Sequence, residues 1–408
     1  MLFKDIIGQT VVKQQLVELV QHNRLSHALL FLGKEGNGSL PLAIAFAQYL
    51  VCEKANSKSK IPDTNASLFG EDPEQVSSIQ HPASDSCGVC PACLKAQQLV
   101  HPDIHFSYPT VTKKSGDKPV ATDFITEWRE FIKSNPYGNL FAWIELIKEK
   151  ENSQGKITAE ECNDIIRKLS LKSFESEYKI LIMWMPEMLG TEGNKLLKLI
   201  EEPPANTLFI LVTENEAQVL PTIVSRCQLI KIPSLEIKEI EETLISRNNA
   251  DPIVARQVAS VSEGNYHEAL QQIQHAEEDW QALLREWLNA ILKTGPIAQT
   301  KWVEDISKLG REKQKQFLRY FNHLLEQAIH LRILPRQKQD GLFIQDVERD
   351  FAERLNKIAG IEQQKAIIEE LDKASYYIER NANAKMLFHA LTIKLYHIIQ
   401  DKIVFLTE

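Results

Sequence analysis

Two periods of apolar residues follow one another along this chain. Between residues 10 and 23 apolar side chains recur at helical spacing, and the run HALLFL at 27–32 is short and continuously apolar, as in a buried strand. Similar apolar runs predict strands at Lys179–Met185 and Thr207–Thr213. Because buried strands alternate with helices, the pattern predicts a three-layer α/β domain with a parallel sheet up to about residue 232.

Three further helices are predicted in this region. The segment 40–52 returns to helical periodicity after a glycine-rich stretch. Thr158 begins a second helix, with Glu161 at the spacing of a capping box. The third helix, Asn194–Glu201, is ended by two prolines.

The domain organisation follows from where strand signals stop. We predict an α/β domain over 1–233, a small helical lid domain over 234–278 and an all-helical C-terminal domain over 279–408. A polar stretch without sustained period, 54–84, is interpreted as an insertion in the first domain. The region 112–154 is interpreted as a second added element, which begins with a polar stretch to Thr122 and continues with an amphipathic segment near Phe124–Lys133.

Composition and charge narrow the class of protein. With 43% hydrophobic and 25% charged residues among 408, the chain is expected to be globular. Its formal charge of -8 argues against a uniformly basic nucleic-acid binder. It has neither an apolar run of about 18 residues nor a secretory leader, so we predict a cytoplasmic protein without membrane contact.

The glycine-rich stretch GKEGNG has half of a phosphate-binding loop. Gly33, Gly36 and Gly38 include the glycine spacing of such a loop, in which backbone N–H groups surround phosphate. The next two positions need a lysine for the terminal phosphates and a hydroxyl for magnesium, but they are Ser39 and Leu40. Ser39 offers at most a displaced hydroxyl. The sequence therefore predicts a degenerate loop without a working ATP site.

The acidic pair that should follow the next buried strand is also missing. In an ATPase one carboxylate there organises magnesium and the other acts on the attacking water. This chain has Trp184 and Met185 instead, and Glu187, further on, is interpreted as an ordinary solvated residue. No intrinsic ATP hydrolysis is expected.

Four cysteines are the candidate metal ligands. Cys87, Cys90 and Cys93 are spaced C-x2-C-x2-C, and Cys52 ends the helix before them, so four thiolates are available for a structural zinc ion. An iron–sulfur cluster and free thiols remain open alternatives.

Other polar residues are assigned no chemistry. Cys162 and Cys227 are interpreted as small buried side chains, and His101 and His105 as packing or capping residues rather than ligands. Glu201 and its neighbour Glu202 face different directions on a helix and are interpreted as residues at a fold boundary.

Several segments together carry a resemblance to a known family. The chain resembles the delta-prime subunits of the bacterial DNA polymerase III clamp loader, in the AAA+ superfamily. The likeness covers residues 1 to about 275, and the helices beyond match mainly in character. The segments that carry it are Gly8-Gln9, RLSHALLFLGKEGNG (24–38), CGVCPAC (87–93), HPDIH (101–105), NKLLKLIEEPP (194–204), LPTIVSRC (220–227) and RNANAKMLFHAL (380–391).

The resemblance implies both fold and function. It implies an AAA+ domain of P-loop type, a lid and an oligomerisation collar over 279–408, within a DNA polymerase III holoenzyme complex. The partners implied are gamma or tau ATPase subunits and a delta subunit, in a heteropentameric ring that places a sliding clamp on primer–template DNA. Arg226 would then be an arginine finger in trans, serving the ATP site of a neighbouring subunit.

The chain departs from the family pattern in two ways. The regions 54–84 and 112–154 are longer than usual, and His267 stands where ATPase relatives carry a phosphate-sensing arginine, which is a further sign against nucleotide turnover. Apolar residues in the collar region, including Phe317, Phe321, Leu324 and Leu325, suggest a surface for oligomerisation, although core packing would also account for them.

Two functions of other classes compete with the clamp-loader subunit. One is an autonomous ATPase or remodelling protein that uses an altered P-loop. The other is a zinc-dependent nucleic-acid binder, which the acidic composition disfavours. Nucleotide binding would distinguish the first, and salt-dependent DNA binding by the isolated chain the second.

Overall fold

A computed structural model describes residues 1–55, 84–112, 116, 118–148, 154–274, 280–333, 346–380 and 382–402. The predicted insertion at 54–84 lies almost wholly outside these residues, as does the predicted domain boundary at 278/279. The chain forms two compact units, Met1–Asn249 with Ser262–Ala269, and Ala250–Val261 with Leu270–Glu408.

The first unit is built on a five-stranded sheet in the order β2-β3-β4-β1-β5, in which all neighbours are parallel. All residues of β3 and β4 are buried, as expected for strands covered by helices on both faces. This confirms the three strands predicted from continuous apolar runs. The strands are β1 Ala28–Leu32, β2 Ile104–Ser107, β3 Lys179–Trp184, β4 Thr207–Thr213 and β5 Gln228–Lys231.

Of the two remaining strands, β2 was not predicted, and β5 was indicated only by the strand-like segment that contains Cys227. Both strands lie at the edges of the sheet. Each has four residues, and β5 buries only Ile230 fully. Edge strands of this length lack the long apolar run that identified the central strands.

Helices pack on both sides of this sheet. α2 is buried along its whole length, which agrees with its almost entirely apolar sequence. The helices of the first unit are α1 Thr10–Gln21, α2 Ser39–Val51, α3 Pro91–Gln97, α4 Ile125–Ser134, α5 Leu140–Ile147, α6 Ala159–Ser170, α7 Leu197–Glu201, α8 Pro221–Val224 and α9 Ile237–Asn248.

The predicted helix at Asn194–Glu201 is correct only in its second half. Residues Pro186–Leu196 form a 3-10 segment interrupted at Gly190, and α7 begins at Leu197. Gly190 has φ 52° and ψ -143°, a conformation that no helix continues through.

The segment interpreted as an insertion at 112–154 contains two helices, α4 and α5, among the residues described. They contribute to an aromatic cluster in which Tyr108 stacks on Trp128 with ring centroids 4.0 Å apart. Trp143 meets both rings edge-on. This part of the segment is thus packed into the core of the unit.

Only one of the two hydrogen bonds of the capping box predicted at α6 is present. Thr158 Oγ1 accepts a hydrogen bond from the Glu161 N–H at 3.1 Å. The Glu161 carboxylate does not return to the cap and instead accepts from the Ala121 N–H at 2.7 Å. Burial raises the pKa of Glu161, and hydrogen bonds from the Ala121 N–H and the Ser107 hydroxyl act against that rise.

This carboxyl should make stability depend on pH. Because its folded-state pKa lies above the ordinary 4.5, the folded state binds its proton more tightly, and stability falls as pH rises through the interval between the two values. Glu161→Gln removes this loss. We expect the Tm of E161Q, relative to the unchanged chain, to increase as the pH rises above 4.5. Glu160→Gln, on an exposed position of the same helix, is the control. A Tm difference that stays constant with pH would contradict the buried-carboxyl account.

The second unit is helical throughout its described part. Trp287 and Trp302 stack with centroids 4.5 Å apart, at the centre of a core that includes Phe317 and Phe388. Beyond α11, Tyr266–Gln274, which begins in the first unit, its helices are α10 Pro252–Val261, α12 Trp280–Asn289, α13 Pro296–Lys308, α14 Arg311–Ile333, α15 Asp346–Ile358, α16 Ile361–Glu379 and α17 Ala384–Gln400.

The apolar residues that suggested an oligomerisation surface belong to this core. Phe317, Phe321, Leu324 and Leu325 are all 0% exposed. Core packing therefore explains them. Within the described residues, no helix has both the length and the apolar character needed to cross a membrane.

Candidate functional site

The glycine loop lies between β1 and α2, as the sequence predicts. The Gly33 N–H donates to the Thr213 carbonyl at the end of β4 over 3.1 Å. Gly36 and Gly38 have φ angles of 71° and 91°, and Gly38 is the N-cap of α2. The strand, loop and helix of a phosphate-binding motif are therefore present.

The interior of this loop is filled by its own side chain, Asn37, which is 1% exposed. Its Oδ1 accepts from the Ser39 N–H at 3.1 Å and from the Ser39 hydroxyl at 2.6 Å. Its Nδ2 donates to the Ile232 carbonyl at 2.9 Å. A Cβ at Gly33 would lie 2.2 Å from Asn37 Nδ2, so the side chain fits closely under the loop. Sequence reasoning missed Asn37, because the motif leaves this position unspecified.

Residues from outside the loop also close over it. Tyr137 lies against Gly38, where an added Cβ would approach its ring to 2.9 Å. Glu35 accepts from the side-chain amides of Asn139 at 3.1 Å and Asn265 at 3.2 Å. The loop thus carries a carboxylate held by two amides, and Ser39 occupies the position at which the motif needs the positive charge of a lysine.

The last residue of β3, Trp184, and the residue after it, Met185, are apolar and buried. Trp184 lies within 5.5 Å of Trp128 and 5.9 Å of Phe131, measured between ring centroids. Met185 is 5% exposed and has a left-handed backbone conformation. Neither side chain provides an oxygen for magnesium. His267, at the place of the sensing arginine, is 4% exposed on α11.

The interpretation of Glu187 as an ordinary solvated residue was wrong. Its Oε1 accepts from the Glu214 N–H at 2.9 Å, the Asn215 N–H at 3.2 Å and the Thr213 hydroxyl. Glu187 therefore ties the 3-10 segment after β3 to the carboxyl end of β4.

The four predicted metal ligands are brought together in the first unit. The sulfur atoms of Cys52, Cys87, Cys90 and Cys93 all lie within 4.8 Å of one another. Cys52 follows the last residue of α2, and Cys90 is the N-cap of α3, so two helix ends hold the cluster.

The surroundings of these sulfur atoms fit a metal ion. The Cys87 N–H donates to Cys52 Sγ and the Cys90 N–H to Cys87 Sγ, each at 3.3 Å. Burial opposes ionisation of Cys87, but the backbone N–H groups of Val89 and Cys90 outweigh it and lower the pKa of Cys87 to about 6. Burial raises the pKa of Cys52 and Cys93. Four clustered thiols, with N–H groups directed at sulfur, form a donor set typical of tetrahedral zinc.

The two histidines of HPDIH lie outside the group of four cysteines. His101 Nε2 lies 3.2 Å from Glu175 Oε1, and its Nδ1 accepts from the Asp103 N–H. Burial lowers the pKa of His105 to about 4. Neither belongs to the cysteine cluster, which is the group of possible metal ligands found among the described residues.

The remaining cysteines are separate from that cluster. Cys162 is buried in α6, and Cys227 is half-buried before β5. Burial raises the pKa of both thiols to about 11, which is typical of unreactive side chains.

Arg226 lies just after α8 and pairs with Glu201 at the end of α7. Arg226 Nε lies 2.5 Å from Glu201 Oε1, and Nη2 contacts the same oxygen. Nη1 donates to the Thr222 carbonyl at 2.6 Å and to Ser225 Oγ at 3.2 Å. The Arg226 side chain is still 33% exposed. Glu201, interpreted as a boundary residue, is therefore also a partner of the candidate finger. Both Glu201 and the neighbouring Glu202 are exposed.

Comparison with known proteins adds a family match to this geometry. A family model described as DNA polymerase III, delta subunit, matches residues 8–68 and 73–236. The chain is 27% identical over 263 residues to DNA polymerase III subunit delta' of Bacillus subtilis (strain 168), covering 64% of this chain and 58% of that protein. DNA polymerase III subunit tau of the same organism is 23% identical over 333 residues, covering 80% of this chain and 46% of that one. The chain thus spans about half the length of these relatives.

Comparison with solved structures finds a similarity to a DNA polymerase III gamma-subunit-related protein from Thermotoga maritima. It has 14% identity and a TM-score of 0.36, and the match covers 94% of this chain and 99% of that one. The parallel sheet, the P-loop-type connection between β1 and α2 and the helical second unit confirm the predicted α/β fold class, a parallel-sheet domain followed by helices.

Proposed function

Because the chain belongs to the DNA polymerase III delta-subunit family, we propose that it is a non-catalytic, delta-prime-like subunit of a clamp loader. In this proposal it braces a ring that also contains gamma or tau ATPase subunits and a delta subunit. The ring places a sliding clamp on primer–template DNA. The chain contributes to ATP hydrolysis only by supplying Arg226 to a neighbouring subunit.

The observation that carries the non-catalytic part is the side chain of Asn37 inside the glycine loop. Asn37 Oδ1 accepts a hydrogen bond from the Ser39 N–H at 3.1 Å. This N–H is one of the backbone donors that such a loop offers to phosphate. Binding a nucleotide would require displacing a side chain that also makes three other hydrogen bonds. Ser39 stands where the motif needs a lysine to offset that cost, and Glu35 adds negative charge within the loop.

The position of Arg226 supports its role in trans. It is partly exposed at the surface of the first unit, and backbone and side-chain acceptors hold its guanidinium in one orientation. A planar guanidinium that meets charge on a transferring phosphoryl group is a major source of acceleration in such reactions. A role in trans explains why a chain that does not hydrolyse ATP itself would carry the LPTIVSRC segment.

Two other parts of the proposal rest on separate features. The four cysteines would hold a structural zinc ion, with no open position for substrate. Residues 279–408 would act as the oligomerisation collar. The exposed face of α17 supports this, because Met386, Ile393 and Tyr396 share one side of the helix and are 73%, 56% and 40% exposed.

The first test is ATP hydrolysis by the isolated chain. We expect no phosphate release above background in the presence of magnesium, because the loop lacks its lysine and is filled by Asn37. Asn37→Ala, which empties the loop, should remain inactive for the same lack of charge. A gamma- or tau-type ATPase subunit in the same assay is the positive control.

The competing function, an autonomous ATPase, predicts the opposite result. Turnover at the rate of a motor ATPase, lost when Gly38 is replaced by valine, would refute the non-catalytic proposal. A titration with fluorescent ATP analogue separates passive binding from turnover.

A further inference from the structure

The guanidinium of Arg226 is held by more contacts than a solvated surface arginine needs. It has five N–H groups. The Nε–H and one N–H of Nη2 engage Glu201 Oε1, and the two of Nη1 reach the Thr222 carbonyl and Ser225 Oγ. One N–H of Nη2 is left, and no residue within the described parts of the chain accepts it.

This arrangement differs from a pair that only neutralises charge. Both contacts from Glu201 go to one oxygen, Oε1, and they fall on the Nε and Nη2 edge of the guanidinium. The Thr222 carbonyl fixes the opposite corner at 2.6 Å. Two fixed corners set the plane of the group, so its orientation is determined before any outside ligand arrives.

The exposure of the pair leaves room for such a ligand. The side chains of Arg226 and Glu201 are 33% and 44% exposed. An ion pair in this setting is weak, so a polyanion that meets the remaining Nη2 N–H does not have to displace a strong competitor. A long arginine side chain otherwise loses considerable rotamer freedom when it is fixed on a phosphate.

We infer that Glu201 is a positioning residue for Arg226, which orients the guanidinium for a phosphate group presented by a neighbouring subunit. This inference rests on the proposed function, because it needs Arg226 to act in trans. Glu201 touches neither nucleotide nor magnesium and acts only through the arginine. It does so as a hydrogen-bond acceptor at a fixed distance, and its charge is secondary.

Three substitutions at Glu201 separate position from charge. Glu201→Gln keeps an acceptor oxygen at the same reach and removes the charge. Glu201→Asp keeps the charge and withdraws the acceptor by one methylene. Glu201→Ala removes both. Glu202→Ala is the matched control, since Glu202 is the adjacent, exposed carboxylate.

The experiment measures ATP hydrolysis by the reconstituted complex with clamp and primed DNA. We expect E201A and E201D to lower kcat about tenfold with KM for ATP unchanged, because nucleotide binding belongs to the neighbouring subunit. E201Q and E202A should remain close to the unchanged complex. Size-exclusion chromatography and Tm establish that each variant folds and enters the complex. If E201A fails to fold or to assemble, the activity of E201D decides the test.

Two outcomes would overturn the inference. One is unchanged hydrolysis with E201A and E201D. The other is a loss in E201Q as large as in E201D, which would make charge the property that matters. Arg226→Ala in the same assay separates the two proposals: if R226A changes nothing, the trans role itself fails, and if only R226A lowers kcat, the role of Glu201 fails alone. In the R226A background, E201A should cause no further loss.

Discussion

Replacing Arg226 by alanine is expected to lower hydrolysis at the ATP site that it serves by about 10³-fold, the lower end of the effect of an arginine finger. The physical reason is the loss of a fixed positive charge where negative charge develops on the transferring phosphoryl group. Arg226→Lys should recover little, because an ammonium cannot reproduce the planar fork that contacts two oxygens. The measurement is single-turnover phosphate release by the complex with clamp and primed DNA.

A matched control for this variant lies on α6. Arg167 is 78% exposed and pairs with Asp164, so it is a surface arginine in an ion pair, as Arg226 is. Arg167→Ala should leave hydrolysis unchanged. Normal clamp loading with R226A, in a complex shown to contain all its subunits, would show that Arg226 is not the finger.

Loss of the metal site is expected to have the largest effect on stability. Structural zinc contributes folding free energy directly, and the cluster joins the end of α2 to the start of α3. Replacing Cys93, which is 0% exposed, by serine should lower Tm by about 10 °C or more. Prolonged chelation of the unchanged chain should give a similar loss, which zinc restores.

Elemental analysis provides the direct measurement, with one zinc ion expected per chain. Cys227→Ser is the control, because Cys227 lies outside the cluster and is only half-buried. Iron in the protein, together with absorbance in the visible range, would favour an iron–sulfur cluster over zinc. No metal, combined with an unchanged Tm in C93S, would support free thiols.

The central strands were predictable because their signal is local. β3 and β4 are buried on both faces, so their sequences are continuously apolar and need no context. β2 and β5 are short edge strands, and their formation depends on pairing with the neighbouring strands β3 and β1. Ile104 pairs with Ile180 and Leu229 with Leu30, contacts between residues that are distant in sequence.

The candidate sites show the same division between local and distant signals. The cysteine cluster was found because three of its members lie within seven residues, and the gap to Cys52 does not change their chemistry. Glu187 was misread because its partners, Thr213 to Asn215, come from another strand. The partnership of Arg226 with Glu201 crosses 25 residues and the whole of β4, so no spacing rule would have indicated it.

The amide of Asn37 also bears on how this subunit would respond to the energy state of a cell. A ligand shifts a conformational equilibrium only by binding one state more tightly than another. A loop already satisfied by its own side chain offers ATP and ADP no such difference. We therefore expect the conformation of the first unit to be the same at any ratio of ATP to ADP. In the proposed ring, the subunit would then stay fixed while its neighbours move in response to nucleotide.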